Sequence, residues 1–139
     1  MLLTTLNGST HISYFVGHGD GTFSAPVSMD TQNCENPTQI GSADFNHDGR
    51  PDMAVLDGDG DLLAYLGRGD GTFQDPVISS TQISNQNFSV GDLNKDGFPD
   101  LLLWQAHTGM SYSTSIMLGN GDGSFKSPVV ISQLPEQRR

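Results

Sequence analysis

The sequence predicts an all-β chain built from tandem four-stranded units. Three observations carry that prediction: a glycine-rich phrase occurs three times, an acidic phrase occurs twice in nearly the same period, and no segment shows a helical repeat of apolar residues. The glycine-rich phrase reads GHGDGTFSAPV at 17–27, GRGDGTFQDPV at 67–77 and GNGDGSFKSPV at 119–129, its starts 50 and then 52 residues apart. The acidic phrase reads ADFNHDGRPD at 43–52 and GDLNKDGFPD at 91–100, 48 residues apart. A length of 139 residues with 17 glycines suits one domain of many short strands joined by tight turns.

Between the phrases, short apolar or alternating runs bounded by Gly, Asn and Pro read as strands. In chain order these are 1–6, 12–17 and 23–28; then 39–45, 52–57, 62–67 and 73–80; then 88–93, 100–105, 112–119 and 125–132. The first three match the last three strands of the later groups, so residues 1–37 form an incomplete unit ahead of whole units at 38–86 and 87–139. Within each unit the glycine-rich phrase supplies a tight turn into the outer strand, since glycine tolerates positive φ. The proline that follows suits an edge strand, where a missing N–H costs no ladder bond. Four-stranded units of about 40–50 residues in tandem are the pattern of β-propeller blades. The chain then carries two whole blades and three quarters of another. Propellers close with about four to eight blades, so a ring is expected to be completed by oligomerisation, or the chain to be cut from a longer propeller.

The acidic phrase has the chemistry of a cation site. Asp44, Asn46, Asp48 and Asp52 place side-chain oxygens at positions 1, 3, 5 and 9 of a loop, with the Arg50 carbonyl at position 7; Asp92, Asn94, Asp96, the Phe98 carbonyl and Asp100 repeat the set. Hard oxygen ligands at this spacing, with Gly49 or Gly97 at the bend, are what Ca²⁺ needs. An EF-hand or a dockerin-type loop is excluded, because position 12 holds Val55 or Leu103 and the flanks read as strands. The formal charge of −10, from 16 acidic and 6 basic residues, points the same way: cations are natural partners, nucleic acid and anionic membrane are not.

Together, DxNxDGxPD and GxGDG(T/S)FxxPV resemble the FG-GAP/VCBS repeat of integrin α-subunit propellers, of many bacterial surface and secreted proteins and of a fungal propeller lectin. The resemblance covers nearly the whole chain. It implies a blade fold, calcium in the loop between the first two strands of a blade, and a setting in adhesion or recognition, with no particular ligand.

Other motifs read as structural. Arg68-Gly69-Asp70 spells a tripeptide known from integrin ligands, but His18 and Asn120 replace the arginine in the sister phrases, so it fills a variable turn position. The run 57–61, DGDGD, reads as a hairpin turn, and Asp20, Asp70 and Asp122 as acceptors of turn N–H groups. Cys34 has no partner for a disulfide within the chain. Trp104, His107 and Tyr112 lie in the longest hairpin; aromatic stacking on a sugar and packing between blades are both open for Trp104. The four histidines do not recur in register and no nucleophile motif is present, so the chain reads as a binding module and not an enzyme. No run reaches the ~18–20 apolar residues of a membrane-spanning helix, and residues 1–3 do not read as a signal peptide. The expected function is calcium-stabilised recognition of protein or glycan, extracellular or at the cell surface. The alternative is a self-assembling propeller unit without a ligand of its own.

Overall fold

The structure is a computed structural model that describes residues 2–5, 10–31, 33–84, 87–106 and 112–133. The described residues hold eleven strands and no helix. β1 (Leu2–Thr5), β2 (His11–Phe15) and β3 (Val27–Asp30) form the first sheet. β4 (Pro37–Ala43), β5 (Asp52–Asp57), β6 (Asp61–Tyr65) and β7 (Val77–Ser80) form the second. β8 (Asn87–Gly91), β9 (Asp100–Ala106), β10 (Tyr112–Met117) and β11 (Val129–Gln133) form the third. Every pairing is antiparallel between strands consecutive in sequence, as hairpin connections require.

The second sheet lies between the other two, which explains why all six residues of β5 are buried. Side chains alternate across a strand, so Met53, Val55, Leu63 and Tyr65 join Ile12 and Cys34 in one cluster, with Met29, Ile40 and Phe73 packed against it. The opposite face contributes Ala54, Leu56, Leu62 and Ala64 to a second cluster with Phe45, Phe88, Leu101, Leu103, Met117 and Phe125. Each fully buried aliphatic side chain contributes roughly 1.5–3 kcal/mol relative to exposure. The core is therefore the pair of spaces between sheets. Polar ties cross the same spaces: Gln39 donates to the Phe88 carbonyl and accepts from its N–H, both at 2.7 Å, and the Tyr65 hydroxyl donates to the Thr31 carbonyl at 2.8 Å.

The strands expected at 23–28, 73–80 and 125–132 begin later than the sequence pattern indicates, at Val27, Val77 and Val129. The cause is local. Phe23, Phe73 and Phe125 make only isolated bridges to Gly17, Gly67 and Gly119, and the prolines at 26, 76 and 128 cannot donate to a ladder. Regular pairing resumes one residue after each proline. Gly67 and Gly119 have no room for a side chain, since a Cβ there would lie 2.3 Å from the carbonyl oxygen of Pro51 or Pro99.

Candidate metal centre

The two acidic phrases form the loops between β4 and β5 and between β8 and β9, and their internal geometry is the same. Asp44 accepts from the Asp48 N–H at 3.0 Å and from the Gly49 N–H at 2.8 Å; Asp92 accepts from Asp96 at 3.2 Å and Gly97 at 3.0 Å. Asn46 and Asn94 accept from those same Asp48 and Asp96 N–H groups and donate through Nδ2 to the Asp48 and Asp96 carboxylates. Asp48 and Asp96 in turn accept from the Arg50 and Phe98 N–H groups, each at 2.9 Å. The winding needs two left-handed residues per loop: His47 (φ 58°) and Gly49 (φ 79°), Lys95 (φ 63°) and Gly97 (φ 92°). Glycine takes the second of these without strain. The Asp96 carboxyl is held below its ordinary value, first by the Phe98 N–H, with Asn94 and the Lys126 charge adding to it.

Asp52 and Asp100 differ from the other loop carboxylates because they are fully buried. Each begins its strand and clips three segments together. One oxygen of Asp52 accepts from the Phe45 N–H and the other from the Gly67 N–H, both at 2.8 Å. Asp100 does the same with Leu93 at 2.8 Å and Gly119 at 2.9 Å. The acidic loop is thereby fastened to the glycine-rich turn of its own sheet. Burial pushes the Asp52 carboxyl above its ordinary value; the Gly67 and Phe45 N–H groups oppose that, and the charges of Asp48 and Asp44 reinforce it.

Sequence reasoning read Asp52 and Asp100 as ninth loop residues at the starts of strands and missed this clip. The available signal was that each complete unit carries both phrases, with the second phrase beginning on the glycine that the clip grips. The seventh loop residues lie over the glycine-rich turns, Arg50 against Gly69 and Phe98 against Gly121. The two loops also touch: His47 donates from Nε2 to the Gly97 carbonyl at 2.6 Å, and its ring meets Phe98 edge-on at 5.1 Å.

The donor set fits calcium in kind, being carboxylate, amide and backbone oxygen, and each carboxylate has lone pairs beyond those its N–H partners use. Among the described residues no three His, Cys, Asp or Glu side chains converge as a metal-holding group. The loop oxygens are organised instead around backbone N–H groups.

The remaining motifs sit as turn chemistry. Asp20, Asp70 and Asp122 each accept from the N–H and hydroxyl of Thr22, Thr72 or Ser124, which lowers their carboxyl pKa values. Arg68 donates to the Phe73 carbonyl at 2.6 Å, so the arginine and aspartate of the tripeptide both serve the turn. Asp57 accepts from the Asp59 N–H in the β5–β6 hairpin. Cys34 is buried, and burial pushes its thiol up to about 12, with the Asp57 charge adding to the effect. Trp104 projects from the outward face of the third sheet; His107 lies outside the described residues. A cleft of about 180 Å³ between the first two sheets is lined by Tyr14, Val16, Pro51 and Phe73 with the glycines of both turns.

No helix among the described residues is long and apolar enough to cross a membrane. Residues 1–55 and 44–103 each match the FG-GAP-like repeat. No curated protein and no solved structure matches the chain.

Proposed function

The chain belongs to the FG-GAP-like repeat family, and on that premise we propose that it is a calcium-binding, propeller-type recognition module. The observation that carries this reading is the recurrence of one hydrogen-bonded, oxygen-rich loop in two successive sheets, each fastened to the glycine-rich turn by a buried aspartate. Calcium would be held by Asp44, Asn46, Asp48, Asp52 and the Arg50 carbonyl, and by Asp92, Asn94, Asp96, Asp100 and the Phe98 carbonyl. Its role is structural: it neutralises carboxylates gathered in one short loop. The raised pKa of Asp52, to which burial and the neighbouring Asp48 and Asp44 charges contribute, is the kind of penalty a divalent cation removes.

FG-GAP repeats are typical of extracellular proteins, and we place this module outside the cell or on its surface. Extracellular calcium modules have dissociation constants of about 10⁻⁴–10⁻³ M, so the sites would fill there. The ligand we assign is a protein or a glycan met by the variable loops, with no catalysis. Self-association into a closed propeller is a second element of the reading, favoured by large apolar side chains left exposed on the two outer sheets, among them Phe23, Leu93 and Val129.

The test is unfolding in calcium and in excess chelator. With free calcium a hundredfold above the dissociation constant, each site adds about 2.7 kcal/mol, so chelation is expected to lower the melting temperature by several degrees or more. Equal melting curves in the two buffers would refute structural calcium.

A further inference from the structure

The outward face of the third sheet carries the same register positions as a face that the second sheet buries. Aligning the repeats, Leu93 stands where Phe45 does, Leu102 and Trp104 where Ala54 and Leu56 do, and Ile116 and Val129 where Ala64 and Val77 do. The pairings agree: Leu102 lies opposite Ile116 as Ala54 lies opposite Ala64, and Ile116 opposite Val129 as Ala64 opposite Val77. In the second sheet these positions pack against the third. In the third sheet they are less covered: Leu93 is 46 % exposed where Phe45 is 2 %, Trp104 is 37 % exposed where Leu56 is 0 %, and Leu102 and Ile116 are half-buried where Ala54 and Ala64 are fully buried.

The first sheet presents the other half of such a contact. The phenylalanine of each glycine-rich phrase packs on the preceding sheet wherever the described residues supply one. Phe73 meets Tyr14 of the first sheet edge-on at 5.4 Å, and Phe125 meets Phe45 of the second at 5.6 Å. Phe23 occupies the same place in the first sheet and is 49 % exposed. One chain therefore displays both members of the pair that Phe125 and Phe45 make internally, Phe23 at one end and Leu93 at the other.

We propose that this end face is the docking surface for the first sheet of a second copy of the chain, with Phe23 of one copy packing on Leu93 of the next as Phe125 packs on Phe45. The contact is head-to-tail, since different patches meet. Trp104 is then a packing residue between copies. The proposal deepens the self-association element of the proposed function and rests on it.

A head-to-tail contact permits a complementation test by light scattering after size exclusion, in calcium. The wild-type chain is expected to run as an oligomer. Leu93→Asp spoils one end and Phe23→Asp the other, so each variant alone is expected to be monomeric. Mixed in equal amounts they should form a dimer, through the intact Phe23 end of the first variant and the intact Leu93 end of the second. Circular dichroism checks that both fold; if Leu93→Asp does not, Trp104→Asp marks the same face. A folded wild-type monomer, a variant that still assembles alone, or a mixture that stays monomeric would overturn the proposal. An oligomer indifferent to chelator would refute structural calcium and leave this contact standing, and a calcium-stabilised monomer would do the reverse.

Discussion

Replacing Asp52 by alanine is expected to destabilise the fold by about 2–5 kcal/mol in calcium-free buffer, because two N–H groups, of Phe45 and Gly67, lose a carboxylate acceptor in a buried setting. That is a large share of the ~5–15 kcal/mol by which domains are stable. Urea unfolding reads it as a lowered midpoint with little change in slope. Asp52→Asn should fall between the two, since an amide has one oxygen to accept with. Asp44→Ala is the control: its partners are the exposed N–H groups of Asp48 and Gly49, and it should cost less than ~1 kcal/mol without calcium. A loss at Asp44 as large as at Asp52 would contradict the division between a buried clip and a loop carboxylate with solvent-exposed hydrogen bonds.

Phe45→Ala is the second large effect, expected at about 3–5 kcal/mol. The ring is 2 % exposed and stacks edge-on with Phe125 between the second and third sheets. The same substitution at the equivalent Leu93, which is half exposed, should cost a monomer less than ~1 kcal/mol. Combined with Asp52→Ala, the Phe45 effect should not be additive, because the Phe45 N–H is one of the groups that Asp52 holds. Thermal or urea unfolding of the wild type, the three single variants and the double variant checks all of this. Equal costs at positions 45 and 93 would mean that the space between the second and third sheets is not a core.

The repeat made the all-β organisation legible. Two phrases recurring in nearly one period located the turns, and the runs between them located the strands. Outer-strand starts were misjudged because Phe73 and Phe125 look like strand residues, while the proline three positions later decides where pairing begins. That the acidic residues share one loop was legible because the phrase gathers them within nine positions between two strand-like runs. The clip from Asp52 to Gly67 was not, because a local motif gives no sign that its ninth residue is buried and reaches 15 positions along the chain. The bond between His47 and the Gly97 carbonyl spans 50 residues and involves a histidine that the sister loop replaces with lysine, so no repeat advertised it.

The claim that these loops are calcium sites is tested most directly by calorimetric titration of Ca²⁺ into the metal-free chain, alongside Asp44→Ala, Asp92→Ala and the double variant. Two sites per chain are expected in the wild type, with affinities in the extracellular range of about 10⁻⁴–10⁻³ M, one site in each single variant and none in the double. Saturable calcium binding that survives the double variant, or none in the folded wild type, would contradict it.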